Sequence, residues 1–280
     1  MREISIVFFS LLLIAMIVST VPITNTEITP VCPSKCKLDI AFALDVSGSM
    51  VSDKLEDLKN ATETFINLTC PDCAWSIGIV TFNKTAQNRT YEDNDPTKGM
   101  LVPVCSEDNK TKLNTVVEGL TAGGSTNIGD GIYNATAMIR YSDRPDADDV
   151  IIVVTDGLPN EPGWTDPKDY AKAAADYAKS LGITIVAVYV GSAGGDADEW
   201  LRDNIASSPD HFINASTESG IDMEQAFLDL FDKLCPLVYT TTPMVGGSIE
   251  VSDLTIYRNL VLLIGVAVAV SVGVISVKKK

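Results

Sequence analysis

Mainly apolar runs alternate with segments of helical periodicity along the middle of this sequence, and this alternation constrains the fold more than any other feature. The runs are Leu38–Leu44, Trp75–Phe82, Asp149–Thr155 and Ile183–Val190. Strands that are apolar on both faces are typical of parallel sheets with helices on each side. The sequence therefore predicts an α/β fold, three-layered and doubly wound, with a mostly parallel sheet and helices on both faces.

The segments between these runs predict the covering helices. Asp53–Leu68 carries Leu55, Leu58 and Phe65 at helical spacing. A short edge strand is predicted at Met100–Val104 and a last strand at His211–Ala215. The other predicted helices are Thr111–Leu120, Ile128–Tyr141, Asp166–Leu181, Asp196–Ile205 and Ser219–Leu234.

The N-terminus has the pattern of a secretory signal. Ile4–Val18 is apolar apart from Ser5 and Ser10, and Arg2 precedes it. We predict a signal peptide at 1–25, cleaved somewhere between Ser19 and Thr26. An uncleaved anchor is the alternative.

The C-terminus has the pattern of a membrane span. Leu260–Val277 is 18 residues long, uncharged, and followed by three lysines. At about 1.5 Å per residue, a helix here spans roughly 27 Å, enough for a bilayer core. The lysines place the C-terminus in the cytoplasm and argue against a lipid-anchor signal. We predict a stalk at 236–257, a transmembrane helix at 258–277 and a cytoplasmic tail at 278–280, with a buried core helix as the alternative.

The region between the two terminal segments is strongly acidic. The whole chain has a formal net charge of −16, and several of its basic residues lie in the terminal segments. Nucleic acid is a poor partner for such a surface, since its binding depends on Lys and Arg at the phosphates. No Gly-x-x-x-x-Gly-Lys loop is present, so nucleotide binding is not predicted either.

Cysteines and glycosylation motifs fit an exported domain. Six cysteines predict disulfides in an oxidising compartment, although the Cys70–Cys73 pair could instead form a redox or zinc motif. The cysteines are Cys32, Cys36, Cys70, Cys73, Cys105 and Cys235. Asn-x-Ser/Thr motifs predict surface glycosylation at Asn60, Asn67, Asn83, Asn88, Asn109, Asn134 and Asn214.

Short oxygen-bearing side chains follow the predicted strands. Asp45, Ser47 and Ser49 come directly after the first strand, and Asp156 follows the Asp149–Thr155 strand. Thr126 lies in the loop Gly123–Gly129, which opens a helix. Oxygen donors at the carboxyl ends of parallel strands suit a hard divalent cation. Taken singly, each motif could instead cap a helix or form a turn.

These three loops together resemble the von Willebrand factor type A domain, also called the integrin inserted domain, over residues 36–235. That family carries a metal-ion-dependent adhesion site of Asp-x-Ser-x-Ser, a Thr and an Asp. The resemblance implies that Asp45, Ser47, Ser49, Thr126 and Asp156 bind a divalent cation, with Mg²⁺ first and Mn²⁺ or Ca²⁺ as alternatives. It also implies that a protein partner supplies an Asp or Glu carboxylate to the metal.

Other side chains near the same rim are candidates for partner contact. These are Trp164 and Glu161 in the loop after Asp156, and Asp196 at a later helix start. At the opposite edge, the last predicted helix ends in Cys235, while the first strand begins after Cys36. We predict a disulfide from Cys235 to Cys36 or Cys32 that clasps the last helix.

An enzyme is the weaker interpretation. A phosphotransferase of the haloacid dehalogenase type needs a second Asp where this chain has Ser47, and the lone His211 is more typical of a structural residue. A metal-dependent hydrolase is therefore a distant alternative. We predict a non-enzymatic, single-pass protein of the plasma membrane or cell surface that captures a partner through its metal, with the N-terminal domain outside. A surface-anchored structural or assembly subunit of an envelope or channel complex is the alternative.

Overall fold

The computed structural model describes two compact units of the chain. The larger lies within Cys32–Leu237, and the smaller combines parts of the two terminal regions. The described residues are 27–31, 36–69, 74–92, 95–142, 144–191, 196–215, 222–234, 238–242 and 249–250.

The larger unit is built on a seven-stranded sheet of described residues. Its strands are β1 (Leu38–Asp45), β2 (Ser76–Phe82), β3 (Ala86–Asn88), β4 (Val102–Pro103), β5 (Asp148–Thr155), β6 (Thr184–Tyr189) and β7 (Phe212–Asn214). The order across the sheet is β3-β2-β1-β5-β6-β7, and β4 also pairs with β2. Five strands run parallel to one another, namely β2, β1, β5, β6 and β7. The two short strands β3 and β4 run antiparallel to β2.

The register brings the carboxyl ends of the central strands together. Asp45 at the end of β1 lies opposite Phe82 on β2, and Leu44 lies opposite Val154 on β5. The loops that follow β1 and β5 therefore begin side by side at one edge of the sheet.

Helices cover both faces of this sheet, which confirms the predicted three-layer α/β architecture. They are α1 (Asp53–Leu68), α2 (Glu107–Glu118), α3 (Ile128–Ser142), α4 (Pro167–Ser180), α5 (Asp196–Trp200) and α6 (Met223–Leu234). Successive residues of β1 point to opposite faces, because side chains alternate along a strand. Phe42 packs in the core shared with α1, α2 and α6, and Ala41 and Ala43 pack in the core shared with α3 and α4.

Aromatic side chains fix α6 against α1 and the sheet. Phe65 of α1 lies edge-on to Phe231 of α6, with ring centroids 5.3 Å apart. Phe227 of α6 stacks on Phe42 of β1 with centroids 5.9 Å apart, and the Trp75 ring centroid lies 5.0 Å from that of Phe231. Full burial of each such ring stabilises the fold by about 1.5–3 kcal/mol.

Helix boundaries follow the local capping chemistry. α1 has the predicted bounds. α2 begins at Glu107, ahead of the predicted Thr111, because the side chain of Ser106 accepts a hydrogen bond from the backbone N–H of Asn109 and caps the helix. Asp166 caps α4 in the same way. The helix predicted over Asp196–Ile205 continues beyond α5 as a π-helix from Leu201 to Ile205.

The smaller unit contains a three-stranded antiparallel sheet that was not predicted from the sequence. Glu27–Val31 pairs with Val238–Thr242, and Ile249–Glu250 pairs with the same strand. Val238–Thr242 contains a β-branched run typical of strands, which was a usable signal. Two of these strands lie within the predicted stalk, 236–257.

The predicted terminal segments lie outside the described residues. The signal peptide (1–25), the transmembrane helix (258–277) and the tail (278–280) therefore stay predictions. Within the part of the chain that the structure describes, no helix combines the length and apolar character needed to cross a membrane.

One cysteine prediction is wrong. Cys105 is a free and exposed thiol rather than half of a disulfide. It lies between Val104, whose backbone N–H is bonded to the Trp75 carbonyl, and the capping residue Ser106. This position leaves its side chain in solvent. Cys36 is disulfide-bonded, and its Sγ lies 3.9 Å from the carbonyl oxygen of Leu234 at the end of α6. The predicted disulfide residues Cys32, Cys70, Cys73 and Cys235 lie outside the described residues.

The predicted glycosylation sites divide into two groups. Asn60 and Asn67 are exposed on α1, whereas the other sites, Asn83, Asn88, Asn109, Asn134 and Asn214, are partly buried. The side-chain amides of Asn83, Asn88 and Asn109 donate to backbone carbonyls. Glycosylation at all seven positions stays a prediction.

Candidate metal centre

Asp45 is a buried carboxylate at the end of β1. It is 0% exposed. Its Oδ1 accepts a hydrogen bond from the Ser47 backbone N–H at 2.8 Å, and its Oδ2 accepts one from the Thr155 hydroxyl at 2.6 Å. Burial raises the pKa of Asp45 to about 6, against the lowering effect of these hydrogen bonds. Among the described residues no Lys, Arg or His forms an ion pair with it.

The Ser47 and Ser49 hydroxyls, in the first loop (after β1), lie in line with the Asp156 carboxylate, in the third loop (after β5); the second loop is the one that carries Thr126. Ser47 Oγ lies 3.1 Å from Ser49 Oγ. Ser49 Oγ in turn donates to Asp156 Oδ1 at 2.7 Å. Oxygens bound side by side at about 2.1 Å on an octahedral Mg²⁺ lie about 3 Å apart. The observed separations fit such neighbouring positions.

The loop carrying Thr126 is joined to the first loop through the backbone. The Gly48 N–H donates to the Gly124 carbonyl at 2.9 Å, and the Gly123 N–H donates to the Val46 carbonyl at 2.8 Å. Gly124 has φ +88°, a conformation that favours glycine. Thr126 is 6% exposed, so its position is fixed by the surrounding loops.

Asn160 and Asn83 support the Thr126 loop from either side. The Asn160 side chain accepts from the Thr126 N–H at 2.8 Å, and the Asn160 N–H donates back to the Thr126 carbonyl at 2.9 Å. Asn83, after β2, donates from Nδ2 to the Gly123 carbonyl at 2.9 Å. These contacts hold the second loop at the edge where Asp45 and Asp156 lie.

The second carboxylate oxygen of Asp156, Oδ2, forms an ion pair with Lys54. Its side chain is 2% exposed, and Lys54 Nζ lies 2.6 Å from Oδ2. The loop is closely packed here, since a Cβ on Gly191 would lie 2.5 Å from the Asp156 carbonyl oxygen. Oδ1, which accepts from Ser49, is the oxygen that remains directed towards the other donors.

The donor set suits a hard divalent cation. Two carboxylates and three hydroxyls are the oxygen ligands that such ions prefer. In the described part of the chain, no three His, Cys, Asp or Glu side chains form a metal-binding group. The fit therefore depends on the hydroxyls of Ser47, Ser49 and Thr126, which can complete a site around Asp45 and Asp156.

The predicted contact residues differ in their relation to this site. Trp164 is 76% exposed and lies edge-on to Tyr170, with centroids 5.4 Å apart. Glu161 lies beside the second loop, because its N–H donates to the Thr126 carbonyl at 3.2 Å. Asp196 is exposed at the start of α5, and within the described residues no hydrogen bond or ion pair joins it to the five predicted ligands.

His211 lies at the amino end of β7 and outside this cluster. Its Nδ1 is 2.7 Å from Ser208 Oγ, three residues earlier in the same turn. The predicted metal residues follow the carboxyl ends of strands or lie in the loop joined to them. The local contact with Ser208 is consistent with the predicted structural role of His211.

Sequence reasoning missed the residues that contact the candidate ligands and their loops: Thr155, Lys54, Asn160 and Asn83. Thr155 directly precedes Asp156, so its place at the end of β5 was a usable signal. Lys54 stands in the first turn of α1, where the helix dipole disfavours a cation. This unfavourable position of a cation was the sequence signal that an acidic side chain lies near Lys54. Asn160 and Asn83 gave no comparable signal.

The family assignment comes from a family model as well as from this geometry. The model for the von Willebrand factor type A domain matches residues 39–226. The chain therefore belongs to the von Willebrand factor type A domain family. A sequence search of curated proteins returns no match.

Solved structures with the same fold include surface and matrix proteins. The pilus adhesin SpaC from Lactobacillus rhamnosus GG, in its open conformation, has 16% identity and a TM-score of 0.56, covering 71% of this chain and 30% of that one. The von Willebrand factor domain of the type V pili tip protein Mfa5 from Porphyromonas gingivalis has 14% identity and a TM-score of 0.56, covering 71% and 95%. At these identities the likeness shows the fold alone.

A further structure with this fold holds a metal at its adhesion-site motif. Proximal thread matrix protein 1 from the mussel byssus, with a zinc-occupied MIDAS motif, has 25% identity and a TM-score of 0.51, covering 72% of this chain and 48% of that one. A divalent cation therefore occupies this motif in a related domain. The present chain covers less than half of the SpaC and mussel proteins.

Proposed function

We propose that this protein is a cell-surface binding protein that captures a protein partner through a divalent cation, with Mg²⁺ favoured. Asp45, Ser47, Ser49, Thr126 and Asp156 hold the ion. When bound, the ion supplies an electrophilic centre that attracts an anionic oxygen, and an Asp or Glu of the partner offers that oxygen.

The observation that carries this proposal is the uncompensated Asp45 carboxylate beside a line of hydroxyl oxygens. Asp45 is fully buried, and within the described part of the chain its hydrogen bonds come from neutral donors. A buried carboxylate without a counter-charge is costly unless it is paired or binds a metal. Asp45 thus provides the charge that draws a cation to the Ser47 and Ser49 hydroxyls.

The chain's own residues hold this arrangement in place. Thr155 and the Ser47 N–H orient the Asp45 carboxylate, and Asn160 holds the backbone of Thr126. The exposed ring of Trp164 offers an apolar contact for a partner docked at this edge, since aromatic side chains are enriched where partners bind. The negative charges of Glu161 and Asp196 disfavour contact with acidic segments of the partner other than the carboxylate that binds the metal.

Adhesion and assembly are both consistent with the neighbours' described roles. SpaC is described as a pilus adhesin, Mfa5 as a pili tip protein and the mussel protein as a thread matrix protein, so this fold occurs in proteins of both kinds. We favour adhesion, because an open metal site provides reversible capture. An assembly subunit is expected to keep its partner when the metal is removed.

The proposal predicts that Asp45→Ala abolishes divalent-metal binding while the domain stays folded. A lost ligand should lower Mn²⁺ affinity by more than the roughly 10–100-fold typical of lost supporting contacts. Titration of the intact protein with Mn²⁺, followed by calorimetry, measures this affinity. Circular dichroism checks the fold.

Asp203→Ala is the matched control, because Asp203 is exposed and pairs with Arg202 away from the site. It should bind Mn²⁺ as the wild type does. Equal Mn²⁺ affinity in the Asp45→Ala protein would contradict the proposal. Partner capture that survives chelation would favour assembly over adhesion.

A further inference from the structure

We propose that Lys54 acts as a protein cation within the metal site. It neutralises Asp156 and thereby sets the affinity of the site for a divalent metal. This inference rests on the proposed function and names the residue that tunes the same site. The carrying contact is the 2.6 Å ion pair between Lys54 Nζ and Asp156 Oδ2.

The two ends of this ion pair differ in their freedom. The Asp156 side chain is 2% exposed, whereas the Lys54 side chain is 42% exposed. Asp156 is also bonded to Ser49 through its other oxygen, so the carboxylate is fixed while the ammonium group can move towards solvent. Lys54 can therefore yield as a second cation approaches, without any movement of Asp156.

The position of Lys54 along its helix supports a role at the site. It is the second residue of α1, where the partial positive charge of the helix N-terminus disfavours a cation. The acidic residues Asp53 and Glu56 in the same turn are the favourable kind. The contact with Asp156 in a distant loop is what offsets this unfavourable position.

Charge counting gives the consequence for the metal. Asp45 and Asp156 bring two negative charges, and Lys54 cancels one of them. A divalent ion then leaves the cluster with a net positive charge, and this favours a carboxylate from a partner. Without Lys54 the same ion would be neutralised by the protein alone. It would bind more tightly and attract a partner's carboxylate less.

Lys54→Met tests this inference, with Mn²⁺ alone as the probe and the intact protein as the sample. We expect about tenfold tighter Mn²⁺ binding than in the wild type, equivalent to about 1.4 kcal/mol. In chelator the variant should melt below the wild type, because Asp156 is left buried without a cation. Saturating Mn²⁺ should close that gap.

Lys59→Met is the matched control. Lys59 lies on the same helix and pairs with Glu56, so its loss changes the net charge equally without touching Asp156. It should leave Mn²⁺ affinity close to the wild-type value. Lys54→Gln serves as a second variant, since it removes the charge but keeps a hydrogen-bond donor for Asp156, and it should also bind Mn²⁺ more tightly.

The outcomes separate this inference from the proposed function. If the wild type binds Mn²⁺ and both Lys54 variants match Lys59→Met in affinity and in chelator melting, the role of Lys54 is overturned and the metal site stands. Mn²⁺ binding that occurs only after Lys54 is replaced would support the effect of Lys54 and contradict the proposed function of the wild-type site. If neither wild type nor variants bind Mn²⁺, both proposals fail.

Discussion

The first strand of the sheet carries a buried aspartate near each end, and the two are compensated in different ways. Asp39 and Asp45 are both 0% exposed. Asp39 pairs with the guanidinium group of Arg144 and accepts from the Ser142 hydroxyl at 2.6 Å. Among the described residues, Asp45 accepts hydrogen bonds only from the Ser47 backbone N–H and the Thr155 hydroxyl.

This difference separates a charge that the protein compensates with its own cation from one that we propose a metal compensates. Arg144 also donates to the Ser76 hydroxyl and to the Ala74 carbonyl, so it closes the Asp39 edge with a permanent cation. At the Asp45 edge, Lys54 is paired with Asp156 and not with Asp45. Within the described residues, the chain thus supplies a cation to the buried carboxylate at one edge and leaves the buried Asp45 carboxylate at the other edge without one.

Arg144→Met should have the largest effect, and it acts on the closed edge. Removing one partner of a buried ion pair typically costs about 3–5 kcal/mol, because the other charge stays buried alone. Urea unfolding of the intact protein in chelator measures this loss. Arg140→Met is the control, because Arg140 lies in the last turn of α3, shortly before Arg144, is exposed and should change stability by less than about 0.5 kcal/mol. A loss no larger than that of the control would contradict the structural role of the Asp39 edge.

Thr155→Val should have a smaller effect, and it acts on the open edge. The substitution keeps the shape of the side chain but removes the hydroxyl that donates to Asp45 Oδ2. Loss of such a supporting contact lowers metal affinity by about 10–100-fold. Mn²⁺ titration measures it, and Thr136→Val, which removes a buried hydroxyl bonded to Ile132 on α3, is the control. Unchanged Mn²⁺ affinity would show that Thr155 does not orient Asp45.

The pH dependence of stability should show the smallest effect. Asp149 lies opposite Asp39 in the sheet register, and burial followed by the Asp39 charge raises the pKa of Asp149 to about 6. The folded protein therefore binds this proton more tightly than the unfolded chain does. The stabilising contribution is complete below the ordinary pKa of 3.8 and is lost as the pH rises through about 6.

Asp149→Asn should remove this dependence. Relative to the wild type, the variant should gain about 1 kcal/mol of stability between pH 4 and pH 7, a discounted value because the carboxyl group is partly exposed and screened. Urea unfolding across this range measures the difference. Asp45 has the same sign and window, but Mg²⁺ should cancel its contribution and leave that of Asp149 unchanged. Parallel pH profiles for wild type and Asp149→Asn would rule the Asp149 contribution out.

Local sequence patterns predicted a large part of this protein. Apolar runs and helical spacing gave the three-layer α/β architecture, and α1 has its predicted bounds. Asp45, Ser47, Ser49 and Asp156 were predicted as candidate ligands from their place after strands, because parallel strands bring their carboxyl ends to one edge. Thr126 lies in a loop that opens a helix, and the resemblance to the A domain is what implied its inclusion. The short strand β3 was not predicted, because its three residues carry too little periodicity.

Only the tertiary structure decided how charges and hydroxyls pair across the sheet. Lys54 and Asp156 are 102 positions apart, Thr155 and Asp45 are 110 apart, and Arg144 and Asp39 are 105 apart. Such pairs depend on strand register and helix placement, which no local pattern encodes. The free thiol of Cys105 belongs to the same class, since its exposure follows from the turn before α2. The sequence by itself determined which side chains could hold a cation, and the fold decided which of them are already compensated.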